Sequence, residues 1–195
     1  MPPPPLPRPL LDPARLDELV EGLVPGAEAL VLRTEALAWA KPRECFVNVD
    51  EMVKKDGGEQ VLGWSLIESL PDVLMEAEFH SVWRDREGAL HDVTPKEYPA
   101  LDPRTIFLPD PSLVYEGQQI DNHRVPLQDD QLIRSHIKIQ ERKFAALNEG
   151  DLATYHGPVQ ATPQLVKLLD QEQRFISKLF QRYYSESAAG PSIGR

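Results

Sequence analysis

Residues 74–95 read LMEAEFHSVWRDREGALHDVTP, and their alternation decides how the middle of the chain folds. Met75, Ala77, Phe79, Ser81 and Trp83 fall on one side of a strand. Glu76, Glu78, His80 and Val82 fall on the other, because side chains along a strand alternate with a period of two. The polar run Asp85-Arg86-Glu87-Gly88 then reverses the chain, and residues 89–93 return as a short strand. With residues 85–87 as the turn and Gly88 in the left-handed bulge position, Arg84 faces Gly88, Val82 faces Leu90 and His80 faces Asp92. Directly opposed side chains have Cβ atoms about 4.5–5.5 Å apart, close enough for an imidazole–carboxylate contact. A slip of one residue would turn Asp92 to the other face. The hairpin therefore predicts a positive φ at Gly88 and His80 beside Asp92.

Upstream, a helix is expected from Pro42, with Phe46, Val49, Met52 and Val53 as its apolar stripe and Gly57-Gly58 as its stop. A strand follows over residues 61–67 and contains Trp64. Nearer the N-terminus, Asp12-Pro13 caps and opens a helix carrying Leu16, Leu19, Val20 and Leu23, which Pro25-Gly26 ends. Residues 27–40 are apolar without a clean period and are read as a strand or short helix. Residues 1–11, MPPPPLPRPLL, are expected to be an extended, disordered tail. Its Pro4-Pro5-Leu6-Pro7 could dock in an aromatic groove, or the stretch could be a plain tail.

Downstream, residues 106–108 and 113–115 read as short strands among prolines. Two amphipathic helices follow at 132–148 and 163–184, and residues 186–195 as a loose tail. No internal repeat is visible. Helices, then a strand-rich middle, then helices imply an α+β fold rather than alternating βαβ units. The architecture expected is a small antiparallel sheet packed on the cysteine-bearing helix, in a single domain over residues 12–185.

A chain of 195 residues can bury one good core and is short for two. The net charge of −10 argues against a nucleic-acid surface and against docking on anionic lipid. No apolar run approaches the roughly 20 residues needed to cross a bilayer. One cysteine excludes an intrachain disulfide and any zinc site built on several thiolates, which fits a reducing compartment. The proline-rich start lacks an apolar stretch of signal-peptide length, so a cytoplasmic location is expected.

That one cysteine is the candidate nucleophile. Cys45 falls in the first turn of its helix, where unpaired N–H groups and the positive end of the helix dipole favour a thiolate and could later hold an oxyanion. Glu44 beside it works the other way. His80 supplies a base, and Asp92 a carboxylate that fixes the imidazole's tautomer, so the three roles of a cysteine hydrolase are filled in chain order. Asn48 (one helical turn beyond Cys45), Trp64 and Trp83 are candidate substrate-binding residues. Each has a plainer reading: Cys45 as a small buried apolar side chain, His80 as strand surface, Asp92 as a turn former, Asn48 as a helix-surface amide.

A metal site is the rival use of the same segment, since His80, His91, Glu76, Glu78 and Asp92 crowd together in sequence. It is disfavoured because His80 and His91 point to opposite faces and no HExxH pattern occurs. Dinucleotide, phosphate-loop and serine-elbow motifs are absent. The acidic pairs Glu76/Glu78 and Asp129/Asp130 read as solvated faces, although the first could bind a cationic substrate.

Glu76-Ala77-Glu78-Phe79-His80-Ser81-Val82-Trp83, then Gly88, then Asp92-Val93-Thr94-Pro95, resembles the histidine and aspartate region of the transglutaminase-like cysteine proteins, a superfamily related in fold to papain. The likeness runs over about residues 42–95. It implies Cys45 as nucleophile, His80 as base and Asp92 as its orienting partner, acting on an amide or isopeptide bond of a protein or peptide with no cofactor. Arg43-Glu44-Cys45-Phe46-Val47-Asn48 departs from the glycine and aromatic setting usual around that nucleophile. The alternative is a non-catalytic interaction protein on the same scaffold, binding partners through its C-terminal helix with Phe175, Tyr183 and Tyr184.

Overall fold

The computed structural model describes residues 5–35, 37–98, 100–155 and 159–185. Its longest pairing joins two strands, here numbered in chain order as β3 (Glu59–Leu70) and β4 (Leu74–Arg84), which run antiparallel from Glu59↔Arg84 to Leu70↔Leu74. The turn between them places Asp72 at φ 63° and closes with the Val73 N–H donating to the Leu70 carbonyl at 2.9 Å. The alternation from Leu74 to Arg84 is thus a strand of the expected length.

The other strands build on this hairpin. β6 (Arg104–Pro109) pairs with β3 around Trp64, and β2 (Leu30–Arg33) pairs with β6. β5 (Leu90–His91) and β7 (His123–Pro126) pair with the two ends of β4. The named pairings are antiparallel, and a single parallel bridge joins Thr34 to Asp92. The protein is α+β.

Residues 1–11 do not form a tail throughout. Arg8–Pro9 form a short strand, β1, against Ile67 and Glu68, the Leu10 N–H donates to the Leu66 carbonyl at 3.1 Å, and Leu10 is fully buried. Proline is tolerated on such an edge because its missing N–H faces away from the ladder. Arg8 and Arg15 both reach Glu68 and Asp72, which ties β1 and the first helix to the closed end of the β3–β4 hairpin. The first four residues, which include Pro4 of the proposed groove-binding stretch, lie outside the described residues.

The first helix, α1 (Pro13–Leu23), starts as expected, with the Asp12 side chain accepting the Arg15 N–H. The second, α2 (Cys45–Asp56), begins three residues later than expected from Pro42. The chain first turns through Arg43 at φ 66°, so Cys45 is the first helical residue. Gly57, at φ 77°, ends it. Residues 27–40 contain the strand β2 rather than a helix, and the strand expected at 113–115 is irregular chain.

α3 (Gln131–Leu147) and α4 (Pro163–Tyr183) form an antiparallel pair within a residue or so of the expected bounds, with a 3₁₀ turn at Gly150–Thr154 between them. Lys143 pairs with Glu172, and Arg182 with Asp130, at opposite ends of the pair. Tyr183 donates its hydroxyl to Asp130 and Tyr184 donates to the Pro71 carbonyl, both at 2.7 Å. Tyr183 thus ties α4 to the start of α3, and Tyr184 ties it to the turn between β3 and β4. Phe175 is half-buried, with the Lys178 ammonium 5.9 Å from its ring centroid. Residues 186–195, the expected C-terminal tail, lie outside the described residues. No described helix is long and apolar enough to cross a membrane.

The core explains why β1 forms. Leu10 packs with Leu19, Val20, Leu66, Ile106 and Leu108. Leu10→Ala is expected to lower unfolding stability by about 2–4 kcal/mol, the usual cost of emptying a buried leucine site. Urea unfolding measures this, and an unchanged midpoint would restore the tail reading.

Candidate active site

The β4–β5 turn sets the histidine and aspartate. Gly88 has φ 91°, as expected, but the ladder runs Arg84↔Leu90 and Trp83↔His91. Asp85 and Ala89 close the loop, the Asp85 N–H donating to the Ala89 carbonyl at 2.9 Å. The register is therefore two residues from the expected one, and His80 is not directly opposite Asp92. A shift of two keeps the face, because alternation has a period of two. Asp92 thus lies diagonally across from His80, with its Oδ1 3.3 Å from His80 Nε2.

Asp92 is 1% exposed and its carboxylate is heavily engaged. Oδ1 accepts the Thr94 N–H at 3.1 Å, an Asx turn of the kind Asp92-Val93-Thr94 allows. Oδ2 accepts the Thr105 hydroxyl proton from β6, and Lys96 Nζ stands 3.8 Å away. Lys96 also donates to Thr105 Oγ1 at 2.6 Å. One oxygen of Asp92 thus makes the turn and also faces the imidazole.

The electrostatics follow. Burial disfavours charge on His80, but the negative charge of Asp92 foremost, then that of the Cys45 sulfur, outweighs it and pushes the imidazole up to about 10. Burial likewise opposes the Asp92 anion, and the His80 charge, the hydrogen bonds and Lys96 overcome it, pulling the carboxyl down to about 2. His80 also stands edge-on to Phe107, with ring centroids 6.3 Å apart. Gly63, paired with His80 across β3–β4, has no side chain, and a Cβ there would meet the Phe107 ring at 2.7 Å.

Cys45 enters from α2. It is buried, and its neighbour Phe46 stacks on Tyr115 with centroids 3.9 Å apart. Glu44 occupies the N-cap position without a side-chain hydrogen bond to the helix, so no side-chain cap covers the first-turn N–H groups beside the thiol. Cys45, His80 and Asp92 line one cleft of about 430 Å³. Thr94, Lys96, Glu78 and the edge of β1 line it as well.

The three candidate substrate-binding residues do not line that cleft. Asn48 is buried, accepts the Lys41 N–H at 3.0 Å, and donates to the Lys41 carbonyl at 2.8 Å and Thr94 Oγ1 at 3.2 Å. It fastens the loop before Cys45 to the turn after Asp92. Trp64 is buried and donates to Asp110 at 3.0 Å. Trp83 donates to the Gly57 carbonyl at 2.9 Å and packs beside Val49 and Met52. All three hold the frame.

Glu76 and Glu78 part company. Glu76 is buried against Arg124 and accepts from Asn122, whereas Glu78 opens into the cleft. His91 is turned away from His80 and is held by Glu35 and Asp85. Among the described residues, no group of three or more His, Cys, Asp or Glu side chains is placed to hold a metal ion. Thr105 carried no sequence signal for the site, since only the sheet brings β6 to Asp92, and Lys96 reaches the same carboxylate from the turn four residues on. In comparison with known proteins, no family model matches the chain, and no curated protein or solved structure matches it significantly.

Because His80 is raised from 6.5, its contribution to stability is complete below about pH 6.5 and is lost as pH rises toward 10. Asp92, lowered from 3.8, contributes fully above about pH 4 and loses its contribution as pH falls toward 2. The difference in Tm between wild type and His80→Ala is therefore expected to be largest between about pH 4 and 6.5 and to shrink toward pH 10. Thermal scans across that range measure it, and a difference that does not vary with pH would contradict the pairing.

Proposed function

We propose that the protein is a thiol-dependent hydrolase or acyltransferase acting on an amide or isopeptide bond, with Cys45, His80 and Asp92 as a triad. The observation that carries this reading is the single cleft lined by all three: His80 from β4, Asp92 from just beyond β5, and Cys45 from the first turn of α2. The resemblance of residues 76–95 to transglutaminase-like cysteine proteins supports the same assignment.

In this reading Nε2 of His80 faces Asp92 Oδ1 at 3.3 Å, which leaves Nδ1 as the ring nitrogen for the thiol. Asp92 favours the charged imidazole, so His80 takes the Cys45 proton and leaves a thiolate to attack. The thiolate attacks the carbonyl carbon, and the first-turn N–H of Cys45 holds the oxyanion. Collapse breaks the C–N bond as His80 gives its proton to the leaving amine, forming a thioester on Cys45. Water or a second amine then attacks the thioester, passes a proton to His80 and releases the thiolate. Lys96 and Thr105 keep Asp92 ionised and fixed throughout. No cofactor is needed for these steps. Protein or peptide substrates suit an open cleft, and a cytoplasmic, reducing setting suits a catalytic free thiol.

Iodoacetamide tests the reading, because Cys45 is the chain's one thiol. Wild type is expected to alkylate readily near pH 6–7, whereas a simple thiol with pKa of about 8.5 reacts slowly there. His80→Ala is expected to need a more alkaline medium, and Asp92→Asn to fall between. A thiol that stays unmodified until the protein unfolds would make Cys45 a core residue and end the proposal. With an amide substrate in hand, Cys45→Ala is expected to lower kcat by about 10³-fold or more.

A further inference from the structure

We propose that the cleft recognises a substrate bearing a cationic group, an ammonium or guanidinium, and that Glu78 is the carboxylate that receives it. This inference rests on the triad reading and names the substrate class for that site.

The argument is one of charge accounting within the cleft. Its walls carry Arg8, Arg43, Lys96 and Arg104, which by themselves would suit an anion. Each is already committed. Arg8 pairs with Glu68 at 2.8 Å, Arg43 with Glu97 at 2.9 Å, and Arg104 with Asp102 at 2.6 Å. Lys96 is held by Thr105 and Asp92. Glu97, Asp102 and Asp92 are the partners in these pairs and also line the cleft.

Glu78 remains. Among the described residues it makes no hydrogen bond or ion pair, while its neighbour Glu76 is satisfied by Arg124 and Asn122. It is solvent-accessible, lines the cleft, and sits opposite Ser65 in the β3–β4 ladder. It is also two residues from His80 on the same face of β4, so its Cα is roughly 6.5–7 Å along the strand from that of the proposed acid–base group. Burial, and then the charge of Glu76, raise the Glu78 carboxyl above its ordinary value, outweighing the opposing pull of His80, Lys96 and Arg43. Its anion is thus under-compensated in the free protein, and a cation seated beside it would relieve that cost.

Charged thiol reagents test this without a known substrate. 2-Aminoethyl methanethiosulfonate and the neutral methyl methanethiosulfonate both place a mixed disulfide on Cys45 and expel methanesulfinate, but only the first carries an ammonium. Taking the ratio of the two labelling rates cancels the thiol's own ionisation, and N-acetylcysteine supplies the reference ratio. Mass spectrometry follows the reaction. The wild-type ratio is expected to exceed the reference by about tenfold, the scale of one charge-assisted contact. Glu78→Gln should return the ratio to the reference. Glu87→Gln, which removes a carboxylate outside the cleft, should keep the preference.

A ratio equal to the reference in the wild type, or one unaltered by Glu78→Gln, overturns the inference and leaves the triad standing if neutral labelling is fast and dependent on His80. Equal losses in both glutamine variants would show a general field rather than recognition by Glu78, and would also overturn it. Slow neutral labelling only in Glu78→Gln would make Glu78 a support of the thiol chemistry instead of a recognition residue. A thiol inert to both reagents brings down the inference together with the triad.

Discussion

The antiparallel ladder between β3 and β4 is the constraint on which the remaining structure depends. It runs for most of the length of both strands, and β6, β1, β5 and β7 all pair with one strand or the other. α2 lies against the same two strands, and the α3–α4 pair is braced at the hairpin's closed end through Tyr184 and the cluster of Leu70, Val73, Leu74, Ile133 and Leu179. A long ladder fixes direction and register over many residues at once, so short edge strands can add to it that would not form alone. β1, with two residues, is the extreme case.

The same ladder makes a buried carboxylate tolerable. An ionised Asp92 at 1% exposure would be costly without partners, and here each oxygen has at least one. Its partners come from three separate elements: His80 on β4, Thr105 on β6, and Thr94 and Lys96 from the turn beyond β5. Asn48 then joins that turn to the loop preceding Cys45. The position of the thiol is thereby coupled to the position of the carboxylate through hydrogen bonds rather than through apolar packing alone. The same geometry explains why Asn48, Trp64 and Trp83, each polar at its tip, point into the frame instead of the cleft. Their donors satisfy backbone carbonyls or buried acceptors that would otherwise be stranded.

Much of the site was legible because its signals are local. Alternation from Leu74 to Arg84 is a property of consecutive residues, and so is the positive φ invited by Gly88. The adjacency of His80 and Asp92 survived a register error of two, since parity fixes the face and only the step along the strand was misplaced. The start of α2 was misjudged by three residues because Arg43 takes a left-handed conformation that nothing in its residue type announces. Glu76 and Glu78 look equivalent in the alternating pattern. Arg124, from β7, is what separates them, burying one and leaving the other open.

By itself, then, the sequence determined what short-range physics can enforce: strand period, helix stripes, proline and glycine stops, and the order of thiol, imidazole and carboxylate. Tertiary structure alone decided that Arg8–Pro9 is a strand rather than a tail, that β7 exists, that Thr105 and Lys96 hold Asp92, and that Glu78 faces the cleft with no partner among the described residues. Each of those outcomes depends on a contact between segments that the sequence pattern does not pair. Its free energy comes from burial or charge pairing that appears only once the ladder has brought the two segments together.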